Sequence, residues 1–197
     1  YPSLDEEDWS LFEPEVDTYA GLVFARLSPD GPSLDEYLGD IKWYLDMHFR
    51  MTDGGLKVVG EPQRWKAEND WKIAAENLAG DSYHVVTTHQ SVFEGEWAHD
   101  DMWEEGLDSV ETYMATTDRH SLGYQIGGPD ASLYFTYPEA VTENINPELD
   151  EDQRNILRRS QVHVGNVFPN MSFIHGAYAE SEDAPTAGWA SIRQWQP

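Results

Sequence analysis

Two histidines in the stretch ENLAGDSYHVVTTHQ, residues 76–90, limit what this part of the chain can fold into. His84 and His89 are five positions apart, a spacing that separates side chains by about 140° around an ideal α-helix. They can meet on one side only if the helix carries a π-type turn, or if it ends and bends between them. The run of β-branched residues at 85–88 weakens a helix there. We therefore predict a helical segment from about residue 72 to about residue 88 that is distorted between the two imidazoles.

Asp81 precedes His84 by three positions, so a helix places both side chains on the same surface. A carboxylate there can accept a hydrogen bond from the imidazole N–H that points away from a bound metal. Two neutral imidazoles and one carboxylate, with coordination positions left open, suit non-haem Fe(II) and dioxygen. The spacing alone leaves simpler interpretations open: both histidines as surface or core residues, and Asp81 as a helix cap or a solvated acid.

The charge of the chain is strongly unbalanced, with 12 Lys and Arg against 37 Asp and Glu and a formal net charge of -25. Nucleic acid and anionic membranes are poor partners for such a surface, because both are bound through cationic contacts. Self-repulsion of this size destabilises a compact state unless salt screens it, so we expect stability that depends on salt, as in a protein from a high-salt host. A hydrophobic fraction of 40% with 8 Trp, 10 Tyr and 7 Phe excludes disorder.

Cysteine is absent from the 197 residues, which excludes disulfides, thiolate metal sites and cysteine-ligated iron–sulfur clusters within them. No apolar run approaches the roughly 20 residues of a membrane span, and no charged and then apolar leader is found at the N-terminus. A soluble cytoplasmic protein is expected. Because the chain starts at Tyr1 and stops at Pro197 inside a predicted strand, we expect a fragment of a longer protein.

The hydrophobic pattern predicts helices and strands along the whole chain. A helix is predicted over 34–49, with Ser33 and Glu36 as a capping box, and another over 147–159, with acids in its first half and arginines at its end. Strands are predicted at 19–27, 110–116, 132–137, 162–168, 171–178 and 188–195.

The stretch NDWKIAAENLAGDSYHVVTTHQS resembles the iron-binding segment of the Rieske-type non-haem iron oxygenases, specifically the large (alpha) subunit of the aromatic-ring-hydroxylating dioxygenases. That family's pattern is Trp-Lys, then Glu-Asn, then Asp-x-x-His-x-x-x-x-His. It stands here as Trp71–Lys72, Glu76–Asn77, Asp81, His84 and His89. Further similarity covers nearly the whole chain, through 34–46, 54–63 and 165–174.

The resemblance implies an α+β fold: a helix-grip (START/Bet v1-like) catalytic domain with an antiparallel sheet and helices, incomplete at the C-terminus. Residues 1–32 are expected to be the end of the Rieske domain and its connection, and residues 33–197 the N-terminal part of the catalytic, iron-binding domain. The Rieske [2Fe–2S] cluster needs two Cys and two His, so it is expected in the full-length subunit but not in this chain.

The same resemblance implies roles for individual residues. His84 and His89 would be ligands of Fe(II), and the third ligand, an Asp, would lie beyond residue 197. Asp81 would link His84 to a Rieske-cluster histidine of a neighbouring subunit, and Asn77 would lie near the iron; both are candidate catalytic residues. The candidate substrate-binding residues are Leu78, Val85, Val164, Phe173, Ile174 and His163, and His175 could also face the pocket.

The implied reaction is the cis-dihydroxylation of an aromatic hydrocarbon, polycyclic ones included, or an aromatic acid by O2. Electrons would arrive from NAD(P)H through a reductase, a ferredoxin and the Rieske cluster. The intact enzyme would be an α3 or α3β3 oligomer, and this fragment alone is expected to be inactive. Three alternatives stay open: a monooxygenase or demethylase with the same iron site, a module that binds an apolar ligand without metal, and a hydrolase with zinc on Asp81, His84 and His89.

Overall fold

The computed structural model describes residues 9–81, 84–88, 110–127, 143–178 and 187–196. The predicted strand at 132–137 lies outside these residues. The chain divides into two compact units, Tyr1–Gly39 and Asp40–Pro197.

The first unit contains a β-hairpin. Strands β1 (Glu15–Tyr19) and β2 (Leu22–Arg26) pair antiparallel. Ala20 and Gly21, with φ of 48° and 82°, form the two-residue turn between them, and such a turn matches the right-handed twist of paired strands. The sequence predicts only the second strand, because the acidic residues of β1 are poor strand formers.

The predicted helix over 34–49 is two helices in the structure. Helix α1 (Leu34–Leu38) begins at Ser33, and the predicted capping box is confirmed: Glu36 N donates to Ser33 Oγ at 3.2 Å, and Ser33 N donates to Glu36 Oε2 at 2.9 Å. The Glu36 carboxylate accepts hydrogen bonds from Ser33 N and Ser33 Oγ, and these lower its pKa. Gly39 has a φ of 53° and therefore ends α1. Helix α2 (Ile41–Phe49) belongs to the second unit.

The second unit is built on one five-stranded antiparallel sheet, in which neighbours in sequence are neighbours in space. Three predicted strands on its C-terminal side are confirmed within two residues at each end. Strand β4 is not predicted, because two glycines weaken its strand pattern. The strands are β3 (Val110–Thr116), β4 (Ser121–Gly127), β5 (Ser160–Val167), β6 (Met171–Tyr178) and β7 (Ala187–Gln194).

Strand register decides which side chains share a face of this sheet. Tyr124, His163 and His175 lie opposite one another across β4, β5 and β6. The next row across the same strands is Gly123, Val164 and Ile174. Because successive side chains of a strand point to opposite sides, these two rows belong to opposite faces of the sheet.

A helix packs on each face. On the side of His163, α2 brings the ring of His48 to 4.6 Å from the His163 ring, and we call this side the α2 face. Helix α3 (Trp71–Gly80) packs on β4, β5 and β6 from the other side, the α3 face. There Met114, which pairs with Gly123, comes so close to Gly80 that an added Cβ on Gly80 would lie 2.7 Å from Met114 Cε.

Helix α4 (Val85–Thr88) is a single turn. Helix α5 (Glu151–Arg159) follows it in the chain, and the N-terminus of α5 is attached to α2. Asp150 and Gln153 form a capping box, with Gln153 N donating to Asp150 Oδ1 at 2.8 Å. Gln153 Nε2 donates to the carbonyl oxygen of Trp43 at 2.5 Å, and Trp43 Nε1 donates to Asp150 Oδ2 at 2.5 Å. The hydrogen bonds from Gln153 and Trp43 lower the pKa of the Asp150 carboxyl.

The core of the second unit lies largely where α2, α5 and the sheet supply apolar side chains. The predicted α+β fold, an antiparallel sheet with helices, is confirmed. Among the described residues, no helix has the length and apolar character needed to cross a bilayer. Buried core side chains include Ile41, Leu45, Met47, Phe49, Leu122, Leu157 and Phe173.

Gly165 in β5 lies directly under the ring of Phe173, its partner in β6. A Cβ at Gly165 would clash with Phe173 Cζ and lie 2.8 Å from Cε1 and 3.0 Å from Cε2. Phe173 is 1% exposed, so its ring has little room to move away. We expect Gly165→Ala to lower the free energy of unfolding by about 1–3 kcal/mol in urea titrations, because it overpacks the core.

Gly123→Ala is the matched control, in the neighbouring strand and on the other face. The nearest atom to its new Cβ would be Met114 Sδ, at 3.0 Å. Met114 is 44% exposed and flexible, so it can move aside at a smaller cost. Equal losses of stability in the two variants would contradict this account of Gly165.

Candidate functional site

The motif-bearing segment is a helix that ends at Asp81. Helix α3 begins after Asp70, whose Oδ1 accepts a hydrogen bond from Lys72 N at 2.9 Å. The backbone leaves the helical conformation at Asp81, with φ of -84° and ψ of 84°, and a single helical turn covers Val85–Thr88. The sequence predicts the interruption between His84 and His89, whereas the helix end that the described residues show lies at Asp81, before His84.

Asp81 and His84 come together at the end of α3. His84 Nδ1 lies 2.6 Å from the carbonyl oxygen of Asp81 and 3.5 Å from its carboxylate Oδ2. A carbonyl oxygen can only accept, so Nδ1 carries the proton and donates, and the lone pair of the neutral ring is on Nε2. The sequence predicts the carboxylate as the acceptor of this hydrogen bond, whereas the structure places the main-chain carbonyl closer. The main chain thus orients the ring.

Asn77 lies one turn earlier on α3 and also approaches His84. Its Nδ2 is 3.4 Å from His84 Nδ1, so the three motif residues form one local cluster. The His84 side chain is 21% exposed and the Asp81 side chain 45% exposed. An imidazole with this orientation and partial exposure can present Nε2 to a metal, and the Asp81 carboxylate is accessible to another molecule.

His89 lies outside the described residues, as does the side chain of Val85. The convergence of His84 and His89 on one ion therefore stays a prediction. No Asp or Glu within the described residues is assigned as the third ligand, which is expected beyond residue 197.

The candidate pocket residues fall on both sides of the sheet. Val164 and Ile174 are partly buried on the α3 face, the side on which α3 carries the buried Leu78. His163 and Phe173 are fully buried on the α2 face. The alternation of a strand requires this split, because neighbouring residues such as 163 and 164 cannot face the same side. The pocket candidates that can lie near α3 are thus Leu78, Val164 and Ile174.

A second group of histidines lies on the α2 face. His48, His163 and His175 are each 0% exposed, and one ring nitrogen from each lies within 4.8 Å of the other two. Burial lowers the pKa of all three imidazoles, that of His175 to about 4, so the rings are neutral at pH 7. His163 and His175 are candidates from the sequence, but His48 is not. Its only sequence signal is a polar residue between the apolar Met47 and Phe49 of a predicted helix.

The chain is similar in sequence to large subunits of oxygenases. It is 37% identical over 196 residues to the N,N-dimethyl phenylurea N-demethylase subunit alpha of Sphingobium sp. (strain YBL2), covering 95% of this chain and 42% of that protein. It is 31% identical over 211 residues to the biphenyl 2,3-dioxygenase subunit alpha of Rhodococcus jostii (strain RHA1), covering 100% of this chain and 42% of that protein. No family model matches the chain.

The fold is similar to a solved structure over the same range. Naphthalene 1,2-dioxygenase from Rhodococcus sp. bound to indole matches with a TM-score of 0.81 at 33% identity, covering 100% of this chain and 44% of that one. The chain thus spans less than half the length of these relatives.

Proposed function

Because this chain belongs to the alpha subunits of the aromatic-ring-hydroxylating oxygenases, we propose that its second unit carries part of the site where such an enzyme inserts oxygen from O2 into an aromatic compound. One observation carries the proposal: Asn77, Asp81 and His84 lie close together at the end of α3, and His84 Nδ1 donates a hydrogen bond to the carbonyl oxygen of Asp81. That arrangement is typical of a histidine held ready to bind a metal through its other nitrogen.

Fe(II) suits the donor atoms that this segment offers. The Nε2 lone pair of a neutral, oriented imidazole is a ligand that iron accepts, and His84 meets that requirement. His84 and His89 would hold the ion together with an Asp beyond residue 197. When bound, the iron supplies the binding and reductive activation of dioxygen.

Asp81 is proposed to receive electrons from a second subunit. Its main-chain carbonyl already holds His84, so its carboxylate, 45% exposed, remains accessible to a hydrogen bond from outside the chain. The donor would be a histidine of the Rieske [2Fe–2S] cluster of a neighbouring subunit in an α3 or α3β3 assembly. Electrons would reach that cluster from NAD(P)H through a reductase and a ferredoxin. Residues 1–32 would be the end of the Rieske domain.

The α3 face is the proposed location of the substrate. Val164 and Ile174 present apolar, partly buried side chains there, and Leu78 lies on α3 itself. An apolar wall of this kind excludes water and holds an aromatic ring by burial of its surface. His163 and Phe173, on the opposite face, would support the sheet from behind. The proposed product is a cis-dihydrodiol that contains both atoms of O2.

A second candidate reaction is oxidative N-demethylation. It is favoured by the 37% identity to the N,N-dimethyl phenylurea N-demethylase subunit alpha. The same iron site would serve, but one oxygen atom would enter the product and the other would leave as water. The distinction depends on how a substrate is oriented in the pocket.

The proposed function is tested with the purified full-length subunit that contains this chain, carrying its Rieske cluster and loaded with Fe(II), together with NADH, a reductase, a ferredoxin and ¹⁸O2. Naphthalene, biphenyl, benzene and N,N-dimethyl phenylurea are the substrates, chosen from those in the names of the relatives. We expect a product that forms only in the presence of O2. Dihydroxylation would place two labelled oxygen atoms in the product. Demethylation would insert one oxygen atom and release formaldehyde.

His84→Ala is expected to lose the mononuclear iron and all product, because it removes a ligand. Thr88→Ala is the matched control, since Thr88 is exposed one turn away in α4 and its main-chain hydrogen bond to His84 O persists. Metal analysis and product yield are the measurements. Full iron and activity in His84→Ala would refute the site.

Turnover with zinc and without O2 would favour a hydrolase. Binding of an apolar ligand by metal-free protein, without turnover, would favour an apolar-ligand module.

A further inference from the structure

We propose that His48, His163 and His175 form a second metal site, which takes one divalent ion of the zinc class and is separate from the iron site at His84. The three imidazoles come from α2, β5 and β6 and meet on the α2 face of the sheet. His84 follows α3, which packs on the opposite face. The sheet therefore lies between α3 and the three histidines.

The spacing of the nitrogens is close to that of a coordination sphere. A tetrahedral zinc ion with Zn–N bonds of about 2.0–2.1 Å holds its ligand nitrogens about 3.4 Å apart. His48 Nδ1 and His163 Nδ1 are 3.2 Å apart, and all three ligand atoms lie within 4.8 Å of one another. Ring movements of about 1 Å, small against the freedom of a histidine side chain, would complete the set.

The state of the rings also suits a metal. Because burial lowers the pKa of each imidazole, protons do not compete for the nitrogen lone pairs at neutral pH. No carboxylate joins the group among the residues that the structure describes. Calcium and magnesium demand oxygen ligands, so a purely imidazole set selects zinc and its neighbours in the first transition row.

One of two buried polar atoms beside the cluster points to an occupant. Within the described part of the chain, His48 Nε2 and Tyr124 Oη have no hydrogen-bond partner. The Tyr124 ring packs 5.1 Å from the His163 ring and stacks on His48 at 6.5 Å. Buried polar atoms are costly to leave without a partner. An ion held through His48 Nδ1 leaves Nε2 pointing away from it, whereas a water in the fourth position of the ion could give Tyr124 Oη its missing partner.

The electrostatic setting of the whole chain favours a cation. Three neutral ligands leave the two positive charges of the ion uncompensated locally, while the chain carries a formal charge of -25. The ion would also join α2 to two strands that are more than a hundred residues away in sequence. Such a site stabilises the folded state, because the unfolded chain does not preform it.

The experiment uses purified, chelator-treated protein in the His84→Ala/His89→Ala background, which removes the imidazoles of the proposed iron site. After exposure to ZnCl2 and gel filtration, we expect one retained zinc ion more than in the same protein with His175→Gln. Glutamine is uncharged and of similar length, so it removes the ligand with little change of volume. We also expect zinc to raise the melting temperature of the double variant by roughly 5 °C at a hundredfold excess over Kd.

X-ray absorption at the zinc edge supplies the evidence if His175→Gln does not fold. Three histidine nitrogens at about 2.0–2.1 Å from zinc in the double variant would support the site. The proposal is overturned if the double variant retains no zinc and does not gain thermal stability, or if His175→Gln retains as much zinc as its parent. Either result would identify the cluster as a metal-free, hydrogen-bonded histidine core. Loss of turnover plays no part in these readouts, so they are independent of the oxygenase proposal.

Discussion

In the full-length subunit that contains this chain, Asp81→Asn is expected to lower turnover by roughly 100-fold or more while the protein keeps its iron. The structure separates two roles within this residue. The main-chain carbonyl of Asp81 accepts the hydrogen bond from His84 Nδ1 at 2.6 Å, and the substitution leaves that carbonyl in place. The carboxylate, 3.5 Å from the same nitrogen and 45% exposed, loses its negative charge, and one of its two acceptor oxygens becomes an amide N–H donor. Electron delivery should therefore fail although His84 keeps its orientation.

The measurements are iron content, product yield and a single turnover started with protein reduced in advance. Glu68→Gln is the control, since Glu68 is an exposed acid just before α3 that no role is assigned to. Its turnover and iron content should match the parent. Normal product formation by Asp81→Asn would refute the bridging role. Loss of iron from Asp81→Asn would instead show that the carboxylate holds the ligand, contrary to the geometry of the main-chain hydrogen bond.

Metal-depleted protein is expected to lose stability between pH 6.5 and pH 4.5. Burial lowers the pKa of His175 to about 4, from about 6.5 in an unfolded chain, and the pKa values of His48 and His163 shift in the same direction. Below pH 6.5 the unfolded chain therefore binds more protons than the folded one, and the free energy of unfolding falls with pH. His175 alone accounts for roughly 2 kcal/mol by pH 4.5. That is a large share of a typical stability of about 5–15 kcal/mol.

Urea titrations at pH 7, 5.5 and 4.5 in the presence of a chelator measure this loss. Exposed carboxyls, with pKa values of about 3.9–4.3, begin to gain protons near pH 4.5. The parent is therefore compared with His175→Gln at each pH, which cancels that shared change in surface charge. His175→Gln removes one of the three titrating rings, and its unfolding free energy should depend less steeply on pH by up to about 1.4 kcal/mol per unit. Equal stability of the parent protein at pH 7 and pH 4.5 would show that the three imidazoles are not buried as described.

Short-range features of the fold could be predicted from the chain itself. The capping box of Ser33 and Glu36 and the helix that follows Asp150 depend on hydrogen bonds between residues three positions apart. The strands at 162–168 and 171–178 depend on local β-propensity. The family is likewise identified by a motif within one short stretch, residues 71–89. In each case the determining contacts lie within a few residues, so their pattern is visible in the sequence.

Local patterns were insufficient where a single residue changes the course of the backbone. The positive φ of Gly39 divides a continuous helical pattern into α1 and α2. The end of α3 at Asp81 makes a main-chain carbonyl, rather than the predicted carboxylate, the nearest acceptor for His84. Helix propensity is a weak preference that tertiary packing overrides, so its pattern does not locate such breaks.

Neighbouring residues were enough to predict the family, several of the helices and strands, and the motif of Asp81, His84 and His89, because each of these depends on a short stretch of the chain. Only the tertiary structure decided which side chains share a face of the sheet and which histidines meet. His48 and His163 are 115 residues apart, and their contact requires both the register of β4, β5 and β6 and the packing of α2 on one side of them. Such long-range contacts follow from how whole elements bury their apolar surface together, which no short stretch of sequence specifies.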